Sequence, residues 1–222
     1  MREGEQLSLA DEPRGRAYVW PSWITKLIAG ENRCWFAAWY KAHHKYLKRP
    51  DDPDRAAFFA DYTEAHDRIV NRRAAALRGE GWTVKLEADG EFRIRGEKVP
   101  ADLSGKPDIV AMRSDEALIV DGKAGKPRQS DHWQVLIYVL FLPLDWLKGF
   151  PRIRGEVEYR DGIVDVDPLT SEERRRIGSA IQVVGGSKVP DAAPSRNECK
   201  FCDVARCPHR AEPGEGSSGG MF

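Results

Sequence analysis

Asp108, Asp121 and Lys123 are the residues whose types and spacing point most directly to chemistry. Asp108 opens the apolar run Ile109 to Met112, and Asp121-Gly122-Lys123 closes the next, Ala117 to Val120. Both runs read as strands joined by a hairpin at Arg113 to Glu116. Residues two apart on a strand point the same way, so Asp121 and Lys123 share one side, and antiparallel pairing brings Asp108 beside them. Two carboxylates so placed can hold Mg²⁺ or Mn²⁺ while an ammonium orients water or stabilises charge on a phosphate. Gly122 between them leaves room on the opposite face. Taken alone, an Asp-X-Lys triplet reads as a surface salt bridge. His66 joins the carboxylates only if its helix crosses the strand ends; otherwise it is structural or faces solvent. Gln134 and Tyr138, four apart on one helix face, can orient Lys123, a water or a phosphate, or form a polar edge of the core.

The four cysteines form a second candidate group. Cys199, Cys202 and Cys207 have two and four intervening residues, a spacing that can wrap three thiolates around one metal centre. Cys34 becomes a fourth ligand if the first helices fold back beside the C-terminal segment. His209 offers instead a local three-cysteine, one-histidine zinc site that leaves Cys34 an ordinary thiol. In a reducing compartment, thiols this close read as metal ligands rather than a disulfide framework.

These residues need a scaffold of helices and short strands. Ser22 reads as the cap of a helix through Ile28, with Gly30 separating it from the aromatic-rich stretch Cys34 to Tyr46. Arg55 to Arg78 lacks Pro and Gly and reads as a long amphipathic helix ended by Gly79, with His66 inside it. Trp82 to Glu87, Glu91 to Arg95 and Val99 to Leu103 read as antiparallel strands separated by turns at Asp89-Gly90 and Gly96. A helix is expected over Ser130 to Phe141 and a hairpin from Gly155 to Tyr159 and Ile163 to Val166. Residues 172 to 184 have helical character weakened by Gly178 and Val183-Val184-Gly185-Gly186. Residues 1–16 read as a loose leader and 211–222 as a disordered tail.

At 222 residues the chain can bury one sizeable core, so a single domain over 17–210 is expected. Lys and Arg number 35, as do Asp and Glu, so any nucleic-acid surface must be local. Basic groups gather at Lys41 to Arg49 and again at Arg68 to Arg78. No apolar run approaches the roughly 18 residues of a membrane span, and a soluble cytoplasmic protein with no membrane partner is expected. The residues after Gly122-Lys123 lack the glycine spacing and Ser or Thr of a phosphate-binding loop, so ATP hydrolysis is not implied.

In order, His66, Gly105 to Val110, Asp121 to Gly125 and Gln134 to Tyr138 resemble the motifs of RecB-like exonucleases of the PD-(D/E)XK superfamily. The resemblance implies an α/β fold: a restriction-endonuclease-like core with a central mixed sheet flanked by helices. It makes His66, Asp108, Asp121 and the Gly122 carbonyl metal ligands and Lys123 the catalytic lysine. Gln134 and Tyr138 become the family's Gln-X-X-X-Tyr element. Many members carry Glu where this chain has Asp121, which shortens the reach of that carboxylate.

Cys34 before these motifs and the trio after them also resemble iron-sulfur members that accompany CRISPR systems. That likeness implies a 4Fe-4S cluster joining residues 17–50 to 185–210, with structural Zn²⁺ as the alternative. Expected substrates are single-stranded or frayed DNA, with spacer trimming beside a CRISPR integrase complex as one setting. A standalone repair or phage recombination nuclease is a second setting. A noncatalytic DNA-binding or assembly protein of the same fold is the different-class alternative.

Overall fold

A computed structural model describes residues 11–50 and 53–211. The chain begins with β1 (Glu12–Pro13), β2 (Ala17–Val19), α1 (Pro21–Ile28), α2 (Trp35–His43), β3 (His44–Lys45) and the long α3 (Pro53–Gly79). There follow β4 (Thr83–Leu86), β5 (Phe92–Arg95), β6 (Ala101–Gly105), β7 (Ile109–Arg113), β8 (Glu116–Lys123) and α4 (Gln129–Phe141). The last elements are β9 (Arg152–Tyr159), β10 (Ile163–Val166), α5 (Ser171–Gly185) and α6 (Arg196–Phe201). Five strands form the central sheet in the order β10-β9-β8-β7-β4, and β2-β6-β5 form a second sheet. The central sheet is mixed: β8 and β9 run parallel and its other neighbours antiparallel. A parallel pair needs a crossover, and α4 lies between β8 and β9 in the chain.

The alternation of β8 decides what each face buries. Ala117 and Ile119 join the larger core with Trp133, Leu136 and Ile137 of α4. Leu118 and Val120 join Val70, Ala74 and Leu77 of α3 in a second cluster. With a side-chain period of two, Asp121 and Lys123 continue the α4 face and Gly122 continues the α3 face. A Cβ on Gly122 would lie 2.9 Å from Val70 Cγ2, so α3 can pack this closely only over a glycine. Ala111 and Ile109 carry the α3 surface across β7.

Several local expectations are corrected. The segments around Trp82 to Glu87 and Glu91 to Arg95 do not form a hairpin: β4 pairs with β7 and β5 with β6. Glu87–Gly90 is a 3₁₀ turn that carries the chain from one sheet to the other. Ser22 does not cap α1; Pro21 starts the helix, and Trp20 precedes it without a side-chain cap bond. Residues 171–185 form an uninterrupted helix, begun by a Thr170–Glu173 capping box. Gly185 ends it as a contact: a Cβ there would come within 2.6 Å of Ala101 Cβ. Within the expected leader, β1 pairs with β3 and Arg16 Nε donates to Asp102 Oδ1 at 2.6 Å, so ordered contacts begin before residue 17. Residues 1–10 of that leader and 212–222 of the tail lie outside the described residues. No helix among the described residues is long and apolar enough to cross a membrane.

Candidate functional site

The hairpin register pairs Ile109 with Val120, which leaves Asp108 at the start of β7 beside the end of β8. Its Oδ2 accepts from the Gly122 N–H at 2.7 Å and lies 3.0 Å from His66 Nε2. His66 reaches this point because α3 crosses the sheet on the Gly122 face. On the α4 face, Asp121 is 1% exposed and forms an ion pair through Oδ2 with Lys123. Gln134 Nε2 donates to Asp121 Oδ1 and to the Tyr138 hydroxyl, each at 3.0 Å, and Lys123 Nζ donates to Gln134 Oε1 at 3.3 Å. The Tyr138 hydroxyl in turn donates to the Lys106 carbonyl. Every residue singled out around Asp108 and Asp121 therefore meets at one end of β8, with His66 and Asp108 at one face and edge and the other four on the opposite face.

Burial pushes the Asp121 carboxyl well above the usual carboxylate range, the Lys123 charge works against that rise and nearby Asp108 adds to it. Burial alone would draw the proton from Lys123, but Asp121 outweighs it and holds the ammonium above its ordinary value. The Asp108 contact raises His66, against the pull of its partial burial. Asp121 Oδ2 is buried and its one polar neighbour is the Lys123 ammonium. That atom has lone-pair capacity to offer a cation. Among the described residues, no three His, Cys, Asp or Glu side chains converge as a ready-made metal cage.

Sequence patterning gives no warning of the clamp that holds α3 down. Arg73 Nη2 donates to Glu156 Oε2 at 2.6 Å and its Nε lies 3.7 Å from Glu158 Oε2, while Arg72 donates to Glu158 Oε1 at 2.8 Å. Both glutamates are buried on β9, where alternating acids in an extended segment ordinarily signal a solvent face. Arg73 stands two helical turns beyond His66, so this clamp bears on where the imidazole sits.

The cysteines lie where the first and last described segments of the chain are stitched together. Cys34 precedes α2, Cys199 is buried in α6, and Cys202 and Cys207 are half-buried; all four are free thiols. Glu198 Oε1 accepts from the backbone N–H groups of Arg33 at 2.7 Å and Cys34 at 3.0 Å, while its Oε2 accepts from Ser195. Tyr46 donates to Asp203 at 2.7 Å, and Lys48 bridges to Val204. Burial raises the Cys34 thiol, with Glu198 and Cys207 adding to it; burial also raises Cys207, with Cys202 and Cys199 contributing. Cys207 is thus within electrostatic reach of the other three thiols, yet among the described residues no three of them converge as a metal cage. Cys199 Sγ also accepts from the Ala211 N–H at 3.3 Å. His209 packs its ring edge-on to Phe36, centroids 4.5 Å apart. Ser195-X-X-Glu198 is legible as a capping box, but the reach of Glu198 across to Cys34 is not.

The solved structure of SSO0001 is similar over 90% of this chain and 89% of its own, at 17% identity and a TM-score of 0.48. No curated protein sequence matches the chain. A family model described as the PD-(D/E)XK nuclease superfamily matches residues 29–208, which take in both the end of β8 and the four cysteines, and the chain belongs to that superfamily.

Proposed function

We infer that the protein is a metal-dependent DNA exonuclease of the RecB-like kind, hydrolysing phosphodiester bonds in single-stranded or frayed DNA. The observation that carries this reading is the end of β8, where Asp121, Lys123, Gln134 and Tyr138 are mutually hydrogen-bonded beside the Asp108–His66 contact. Nucleases of this superfamily typically use Mg²⁺ or Mn²⁺. The chemistry of the donor set suits such an ion: two carboxylates, one buried with only the Lys123 ammonium on its Oδ2, and an imidazole. Asp108, Asp121 and His66 would hold it. The Gly122 carbonyl would join them, since a strand residue's N–H and C=O share an edge and the Gly122 N–H already faces Asp108. When bound, the ion supplies positive charge to the phosphate and makes water a better nucleophile.

Lys123 stands beside that position with its ammonium steered by Asp121 and Gln134, and it orients the water and offsets negative charge on the phosphate. Gln134 and Tyr138 are positioning residues that hold Lys123 and Asp121 in a single arrangement. Water adds to phosphorus, the bond to the leaving sugar oxygen breaks, and that oxygen takes up a proton as the water gives one up.

For the cysteines we propose a structural 4Fe-4S cluster held by Cys34, Cys199, Cys202 and Cys207 within a single domain over 17–210. The crossing of residues 33–49 with 195–205, which brings Cys34 to the segment of the other three thiols, supports it, and the Ala211 N–H on Cys199 Sγ suits a thiolate ligand. A place in CRISPR spacer trimming beside an integrase rests on the sequence resemblance. End-labelled single-stranded, duplex and overhanging DNA, incubated with Mg²⁺, Mn²⁺ or a chelator, tests the reaction. Cleavage is expected only with metal, and Asp121→Asn and Lys123→Ala should each reduce it about 10³-fold while the fold stays intact. DNA binding without cleavage in the native protein would select the noncatalytic alternative. Anaerobically purified Cys34→Ala should lose iron and acid-labile sulfide; stoichiometric zinc lost on His209→Ala would replace the cluster with the local zinc site.

A further inference from the structure

Beyond the end of β8, α3 carries an aromatic stripe that the core does not use. Phe58, Tyr62 and His66 are four apart in succession and so share one helix face. Each step of four residues advances about 6 Å, so the stripe runs from His66 for roughly 12 Å toward the start of α3. Phe58 is 62% exposed and its neighbour Phe59 40% exposed. Their rings lie 5.7 Å apart, and Phe58 and Tyr62 lie 6.3 Å apart, so the three form one shelf. Tyr62 Cε2 is 3.9 Å from where a Cβ on Gly125 would be. Gly125 lines a groove of about 410 Å³ between the segment after Lys123 and the β9–β10 hairpin.

That groove has the composition of a site for a flexible anionic chain with flat apolar groups. Lys126 and Arg160 line it and are exposed, with Asp161 beside them, and the apolar Ile163 and Val164 at its lip are 47% and 48% exposed. Phe58 and Phe59, one helical turn from the Tyr62–Gly125 approach, and Ile163 and Val164 at the groove's lip together expose more large apolar surface than is usual where no partner binds. Single-strand sites combine aromatic faces for bases with cations for phosphates, and every base offers such a face regardless of sequence. A paired duplex keeps its base faces stacked on one another and cannot use the shelf.

We propose that Phe58, Phe59 and Tyr62, with Lys126 and Arg160, form a lane for single-stranded nucleic acid leading to the end of β8. At about 3.4 Å per stacked nucleotide, the 12 Å stripe covers roughly three nucleotides. The lane's direction toward the scissile phosphate rests on the nuclease reading; its affinity for an unpaired strand does not. The cations and the continuity with a phosphate-handling site favour nucleic acid over a protein partner.

Binding is measured in a chelator, so that cleavage plays no part, with an unstructured oligonucleotide and a blunt duplex, using 2-aminopurine as the stacking probe. Phe58→Leu combined with Phe59→Leu keeps the surface apolar but removes the flat rings. It should weaken single-strand binding about ten-fold or more, abolish the 2-aminopurine quench and leave duplex binding unchanged. Arg160→Ala should lower the salt dependence by about one released counterion. Unchanged single-strand binding in the folded double variant, or equal losses for strand and duplex, overturns the lane. So does an effect of the double variant confined to self-association, which would make the shelf a protein interface. If the native protein shows ring-dependent strand binding but never cleaves with metal, the lane stands and the nuclease reading falls. Metal-dependent cleavage that ignores Phe58 and Phe59 leaves the nuclease reading standing and overturns the lane.

Discussion

The end of β8 and the cysteine neighbourhood are organised in opposite ways. At β8 the side chains are tied to one another: Asp121, Lys123, Gln134 and Tyr138 each contact at least one other member, and the backbone of β8 is locked between β7 and β9. Around the cysteines the backbone is tied, through Glu198, Asp203 and the Lys48–Val204 bridge, while the sulfurs have few partners. The first region is arranged before any ligand arrives. The second ties its backbone segments together and leaves the sulfurs unfixed against one another. Disturbing the sheet should therefore damage the β8 site and spare the thiols, and loosening the Glu198 crossing should do the reverse.

The largest separation is expected from Arg73→Ala, which leaves Glu156 and Glu158 buried with much of their counter-charge removed. Breaking a buried pair from one side costs about 3–5 kcal/mol, to be read as a fall in the urea midpoint. Alkylation rates of the four thiols below the midpoint should stay at the native value; a uniform rise would mean the regions unfold together and are not independent.

Gly122→Ala is smaller. The new methyl group meets Val70 Cγ2 at 2.9 Å and must push α3 outward, at a cost of about 1–3 kcal/mol. Since His66 rides on α3, cleavage should fall more than stability does, and a variant with native turnover would show that the helix contact is not needed.

Glu198→Gln acts on the other side of the comparison. One amide oxygen replaces a carboxylate that now serves Ser195 with one oxygen and Arg33 and Cys34 with the other, a loss of about 1 kcal/mol. The thermal midpoint should fall by only about 2–4 °C, while Cys34 in the metal-free protein should alkylate several-fold faster. An unchanged rate would remove Glu198 as the tie between the chain ends.

The smallest effect lies outside both regions. Burial works against the charge of Asp102, yet Arg93 and Arg16 hold its carboxyl below the ordinary 3.8. As pH falls, the unfolded chain takes up this proton before the folded one, so the stabilisation is complete above that value and is lost as pH drops through the lower native value. Asp102→Asn should lower Tm by only about a degree at neutral pH and flatten its decline as pH falls below the ordinary carboxylate range. A decline as steep as the native one would assign acid sensitivity to other carboxylates.

The legible part of this protein is the part encoded by period. Alternation through Ala117 to Lys123 and the hairpin at Arg113 to Glu116 are explicit in the residue pattern, and the register follows from them. The helical spacing of Gln134 and Tyr138 likewise carries over into a hydrogen bond. Pairing over longer range is not encoded that way. Asp89-Gly90 reads as a hairpin turn, but the backbone N–H of Glu87 bonds the Asp108 carbonyl, and β4 is thereby drawn to β7. Glycine also misleads as a breaker: Gly185 is kept for its closeness to Ala101, and helix α5 continues up to it. Buried acids on β9 are invisible until the arginines of α3 are placed over them. The meeting of residues 33–49 with 195–205 is foreshadowed only by a cysteine with no nearby companion.

The same meeting sets a timetable for synthesis. Residues 33–49 leave the ribosome roughly 8–30 s before the segment they bind, at about 5–20 residues per second over the intervening stretch. During that interval the inner side of α2, with Ala38 and Ala42, and its neighbour α1 lack Ile177, Ala180 and Val184 of α5, and Arg33 and Cys34 lack Glu198. The first segments made are thus among the last to be enclosed, and a nascent chain stalled before residue 171 presents an apolar face that the released protein never shows.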